Sequence, residues 1–257
     1  MGRIRVLIIS AALASALGFM GAPGCTSEDA TVVILQNQAP TMGCMVSSSS
    51  SDAYVPRGFI DAQANAGYFF TPLLRNFATS TSTAGEGRRI AFLEGAEIRL
   101  DFPAGLLSDA ELSDLSSRNL VEFSQPFSAA VSPNGGLTSV VFELIPVPVL
   151  QALRGPLPED GTLASIQATV QVFGKLGGSS ITTQEFVYWV DVCDGCAKNQ
   201  LGDCALVDPS ADIRTGGVCN LLQDGFVDCC TQAGEEVCPA AVSNMAFDTP
   251  SKTAGSL

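Results

Sequence analysis

Glu97-Ile98-Arg99-Leu100-Asp101-Phe102 alternates strictly between charged and apolar side chains. Ile98, Leu100 and Phe102 fall on one face, and Glu97, Arg99 and Asp101 on the other. That period of two marks a half-buried β-strand. Residues 165–172 repeat it, with Ile166, Ala168, Val170 and Val172 inward. Weaker runs of the same kind lie at 58–63, 67–77, 120–131, 137–145 and 182–192. Ser132-Pro133-Asn134-Gly135-Gly136 and Gly174-Lys175-Leu176-Gly177-Gly178 supply residues tolerant of positive φ between runs, and each predicts a β-hairpin. Ser108-Asp109-Ala110-Glu111 matches a helix capping box, and 148–153 has room for a turn or two of helix. Seven short strands over 54–192 predict an all-β domain, an immunoglobulin-like antiparallel β-sandwich with short helical insertions.

Composition limits the chemistry. The chain has 257 residues, 46% of them hydrophobic and only 15% charged, which suits a packed core. It contains no histidine. Ser-His-Asp triads, Cys-His dyads, HExxH zinc sites and histidine-ligated haem are therefore excluded. A net charge of −13 repels phosphate, so nucleic acid is not an expected partner.

The N-terminus reads as an export signal. Arg3 and Arg5 precede an uncharged, largely apolar stretch at 6–20, too short for a membrane span. Gly21-Ala22-Pro23-Gly24-Cys25 follows, and it resembles the bacterial lipoprotein signal, in which a small residue precedes a cysteine that is lipidated and becomes the new N-terminus. Ala22 stands where leucine is commoner, and Pro23 is unusual. The resemblance implies that 1–24 is removed and that Cys25 carries a membrane anchor. By the same analogy, Thr26 in place of Asp points to the outer membrane. The other readings are a secreted protein with an incidental cysteine and an uncleaved anchor.

Cysteine counting agrees with export. Setting Cys25 aside leaves Cys44, Cys193, Cys196, Cys204, Cys219, Cys229, Cys230 and Cys238, an even number suited to disulfides. Their connectivity stays open, since eight cysteines admit on the order of 10² pairings. Seven of the nine cysteines lie in 191–238, where nine acids face two bases. This stretch is expected to be a loop-rich, disulfide-stapled extension, too poor in apolar residues to fold alone. The serine run at 47–51 is expected to act as a flexible tether. The predicted organisation is thus a signal at 1–24, a strand and tether at 25–53, the sandwich at 54–192, an acidic Cys-rich extension at 193–238 and a frayed tail at 239–257.

This layout resembles bacterial envelope lipoproteins that combine a lipid anchor, a β-sandwich and a cysteine-rich end. The specific echoes are Thr71-Pro72-Leu73-Leu74-Arg75-Asn76 and the run from Phe186 to Cys196. The resemblance implies no activity.

Candidate constellations point the same way. Cys193-Asp194-Gly195-Cys196 is a CxxC, but Asp191 and Asp194 would raise a thiol pKa and make it less reactive. Zinc would want two such pairs, whereas the chain offers one and the adjacent Cys229-Cys230. Asp203, Asp208, Asp212, Asp224 and Asp228 show no EF-hand spacing. GxSxG and SxxK are absent. Trp189 alternates out of phase with Tyr188 and Val190 and is expected to cover the second sheet or the extension. No catalytic residue, metal site or cofactor is assigned. The expected role is non-catalytic: scaffolding, adhesion or contact with envelope proteins at a membrane face. The alternative is a small-ligand or calcium-binding module, and a carboxylate hydrolase ranks third.

Overall fold

Strand β5 (Ala91–Asp101) realises the alternation of its sequence. It buries Leu93, Ala96, Ile98 and Leu100 and exposes Glu97, Arg99 and Asp101. The computed structural model describes residues 31–80, 89–157 and 161–239. In it, β5 pairs antiparallel on one side with β6 (Glu122–Val131) and on the other with β9 (Ala164–Leu176). β9 pairs with β11 (Phe186–Cys193), and β11 with β2 (Gly58–Asp61), giving the order β2-β11-β9-β5-β6. A bulge between Leu93 and Gly95 resets the phase of β5, so that Gly95 and Ala96 are both buried. Pro126 is tolerated in β6 because that strand is an edge, bonded only to β5.

A second set of strands covers the inward face. β1 (Val32–Asn37), β4 (Pro72–Asn76) and β7 (Gly136–Ser139) form one sheet, and β3 (Tyr68–Phe70) pairs with β8 (Phe142–Ile145). The runs at 67–77 and 137–145 are each broken in two. The pairs Phe70↔Phe142 and Leu73↔Ser139 nevertheless keep a single register across the break. The interruption falls where Pro72 has no N–H to offer. There the Thr71 N–H and hydroxyl also turn aside, donating to Asn37 Oδ1 at 2.8 and 2.9 Å.

Both layers share one buried cluster that includes Leu74, Phe142, Ile98, Val170 and Tyr188. Phe70 sits at its centre, with ring centroids 5.6 Å from Phe142, 6.0 Å from Phe186 and 4.9 Å from Tyr188. Helix α1 (Asp109–Ser117) carries the expected capping box at Ser108 and Glu111, and α2 (Val147–Leu153) buries Val149, Leu150 and Leu153. The fold is all-β with two short helices among the described residues.

Several expectations are corrected. The Gly-rich turn after β9 does close a hairpin, with Gly177 and Gly178 at φ 60° and 91° between β9 and β10 (Ser179–Thr182). The turn at 132–136 does not. β6 pairs with β5 whereas β7 pairs with β4, so this turn hands the chain from one sheet to the other. Asn134 and Gly135 hold it there by donating to the carbonyls of Ala78 and Asn76, both at 2.8 Å. The strands are not all antiparallel, since β2 joins β11 in parallel.

The extension is more than loop. It contains β12 (Lys198–Asp203), β13 (Val227–Gln232) and β14 (Glu235–Val237) in one small sheet, and Val227 and Cys229 belong to the main core. The serine run is no free tether either. Ser49 and Ser47 carbonyls accept from Gln38 Nε2 and Ser139 Oγ, both at 2.6 Å, which lays the run on the body of the domain. Trp189 faces outward, 41% exposed, beneath the Arg57 guanidinium at 5.9 Å, because its neighbours Tyr188 and Val190 take the inward positions. The signal at 1–24, Cys25 and nearly all of the tail at 239–257 lie outside the described residues. No helix of the described residues is long and apolar enough to cross a membrane.

Candidate functional site

Strand β2 is an edge, and an uncovered edge invites unwanted pairing. The extension covers it. Asp224 N–H donates to Phe59 O at 2.8 Å, Ile60 bridges to Gln223, and Asp61 N–H donates to Leu222 O at 3.0 Å. Side chains lock this segment in place. Gln223 exchanges two hydrogen bonds with the Phe69 backbone, at 2.9 and 2.8 Å, and Asn220 Nδ2 donates to the carbonyls of Ala66 and Gly67.

Asp224 takes a left-handed backbone, φ 54°, which turns its carboxylate back toward the domain. The residue as a whole is exposed, but its carboxylate is drawn in against the domain, where it accepts from Phe59 N–H at 2.8 Å and from Tyr68 Oη at 3.1 Å. Tyr68 Oη lies 3.0 Å from Tyr188 Oη. Tyr188 in turn accepts from Asn37 Nδ2 at 2.8 Å and donates to Val55 O at 3.1 Å. Burial raises the pKa of Asp224, and it raises both phenols well clear of the physiological range. The tyrosines therefore stay protonated and serve as hydrogen-bond links between β1, β3, β11 and the extension.

Beside this network opens a cleft of about 610 Å³, lined by Tyr54, Arg57, Phe59, Leu163, Cys196 and Phe226 among others. Its rim is apolar and uncovered: Tyr54 is 58% exposed, Leu163 51% and Phe226 50%. The Phe59 and Phe226 rings lie 5.5 Å apart, with the Arg214 guanidinium 5.7 Å from Phe226. Arg57 is fixed by both Asp191 oxygens at 2.5 Å, and Ser165 Oγ donates to Asp191 Oδ1 at 2.6 Å. That pairing holds the Asp191 carboxyl below the usual carboxylate range.

All eight cysteines outside the signal region are paired, as Cys44–Cys219, Cys193–Cys196, Cys204–Cys230 and Cys229–Cys238. Among the described residues, two clusters bring potential metal ligands together, Asp61 with Cys193 and Cys196, and Glu236 with Cys229 and Cys238. Their sulfurs are bonded to each other, which removes them as thiolate ligands. Asp61 is fully buried and accepts from the N–H groups of Gln63, Gly195 and Ala197 at 2.9, 3.0 and 2.9 Å.

The other acids of the extension do not converge. Asp203 caps a short turn through Ala205 N–H, Asp208 binds Ser210, and Asp228 accepts from Arg214 and Asn199. Arg214 holds the Asp228 carboxyl far below its ordinary pKa. Reasoning from sequence missed Asp61, Tyr68 and Asn37. Asp61 and Tyr68 carry polar groups between apolar neighbours, which was the available signal, whereas Asn37 lies between Gln36 and Gln38 and gave none.

Comparison with protein-family models, with characterised proteins and with solved structures returns no significant match.

Proposed function

We propose that this chain is a non-catalytic protein of the cell envelope, held at the outer membrane by a lipid on Cys25. In this reading the domain is an immunoglobulin-like sandwich, and its work is contact with another envelope protein. The observation that carries the contact role is the uncovered apolar rim of Tyr54, Leu163 and Phe226 around the cleft beside Asp224. Aromatic and arginine side chains side by side are the composition of interface hot spots, and Arg57 and Arg214 supply the latter here. The polar groups next to the cleft are already committed. Asp224, Tyr68 and Tyr188 are bonded to backbone and to one another, which suits a rigid scaffold better than proton transfer.

The anchor has its own test. Cys25→Ala should move the protein from the membrane fraction to the soluble fraction, and retention of the variant in the membrane would overturn the lipid reading.

A further inference from the structure

The Cys193–Cys196 bridge differs from the other three in what it holds. It joins residues 3 apart, whereas the others span 9, 26 and 175. A bridge restricts the unfolded chain less as its loop shortens, so this one contributes least to stability. Its local work is also duplicated. Cys193 stands in the ladder between β11 and β2, opposite Asp61, and its carbonyl accepts from Ala62 N–H at 2.7 Å. Asp61 in turn accepts from the Gly195 and Ala197 amides, which fixes the loop that follows. The loop therefore keeps its course when the sulfurs part.

The two cysteines are not equivalent. Cys193 is fully buried, while Cys196 is half-buried and lines the cleft with Phe59 and Phe226. Gly161 lines the same cleft, and a Cβ added there would lie 3.5 Å from Cys196 Cβ. Glycine at 161 thus keeps a side chain off this flank of Cys196. A nucleophile entering by the cleft meets Cys196 and makes Cys193 the departing sulfur. An Asp61 carboxylate oxygen lies within 4.8 Å of both sulfurs. A carboxylate so close favours a protonated thiol over a thiolate.

We propose that Cys193–Cys196 is an exchangeable disulfide, which accepts an electron pair from a dithiol presented at the cleft by a contacting protein. The first partner thiol attacks Cys196 Sγ, the Cys193–Cys196 bond breaks, and the proton of that thiol passes to Cys193 Sγ. The second partner thiol then attacks the partner's own sulfur in the mixed disulfide and releases Cys196, which takes the second proton. The partner leaves as a disulfide, and this chain holds two thiols. Asp61 keeps them protonated, so they are poor nucleophiles toward the other three bridges. The docking of a partner here rests on the contact role above, whereas the opening of the bridge does not.

The test is dithiothreitol added in steps to the folded full-length protein without denaturant, followed by alkylation and peptide mapping. Of the eight bridged cysteines, Cys193 and Cys196 should be labelled first. They should open at a concentration about tenfold below that needed for any other bridge, with the melting temperature nearly unchanged. Single variants locate the attack. Cys193→Ser should form a mixed disulfide at Cys196 with oxidised glutathione in the folded state, whereas Cys196→Ser should leave Cys193 unreacted until the protein is denatured. Joint opening of several bridges, earlier opening of another bridge, or equal reaction of Cys193 and Cys196 in the single variants would overturn the proposal. The expected labelling with no envelope protein captured at the cleft would remove the contact role and leave the exchangeable bridge standing.

Discussion

Asp61 Oδ2 accepts the backbone N–H of Ala197 at 2.9 Å, so a buried carboxylate in β2 shapes the loop that holds the Cys193–Cys196 disulfide. Asp61→Ala would leave the amides of Gln63, Gly195 and Ala197 without this acceptor. A loss of about 1–3 kcal/mol for each amide left unpaired sets the scale, softened by water entering the space. Denaturant unfolding of Asp61→Ala should show a lower midpoint, with Asp61→Asn intermediate.

Cys44–Cys219 ties the N-terminal segment to the extension across 175 residues. Closing so long a loop restricts the unfolded chain more than the other three bridges do. The double variant Cys44→Ser with Cys219→Ser should lose about 2–5 kcal/mol, read from chemical unfolding. The unreduced mature protein should also show no reactive thiol when denatured, and titration of two or more would contradict the pairing.

Gly58 faces the Tyr68 hydroxyl so closely that an added Cβ would lie 2.5 Å from Oη. Gly58→Ala must push Tyr68 away from Asp224 and Tyr188. Destabilisation of about 1–3 kcal/mol is expected from such overpacking. Gly58→Ala combined with Tyr68→Phe should recover little of it, because the ring carbons Cζ and Cε2, which Phe keeps, would still lie 2.6 and 2.8 Å from the added Cβ.

Two acids of the extension should give opposite pH slopes. Arg214 lowers the pKa of Asp228, so its stabilisation is complete above the unfolded value of about 3.9 and is lost as pH falls through the folded one. Burial raises the pKa of Asp224, so its contribution is complete below about 3.9 and declines as pH rises through the folded value. Stability measured against pH should lose its acid-side fall in Asp228→Asn and its decline above about pH 4 in Asp224→Asn.

The legible parts of the fold were those where one force acts alone. β5 and β9 are half-buried, so their alternation appears directly in the sequence, and the capping box at Ser108 depends only on local bonds. The turn at 132–136 was misread because its glycines and asparagine specify a reversal but not the partner strand, and partner choice is set by distant packing. β13 hid because four successive buried residues, Val227 to Cys230, replace alternation where the strand lies between the core and two disulfides. The serine run read as a tether because serine has no apolar signal, yet backbone carbonyls suffice to dock it. Of the cleft, the cysteines were visible beforehand. The meeting of Tyr54, Phe59 and Phe226 was not, since it depends on the extension folding back along β2.

The contact role is tested most directly by a photoreactive side chain at position 226 in the membrane-anchored protein. It should give one discrete adduct with an envelope protein, and Tyr54→Asp should abolish that adduct without changing the melting temperature. The same probe at exposed Lys175, toward the far end of β9, should give none. No adduct at 226, or the same adducts from both positions, would contradict the proposal that this rim is a binding surface.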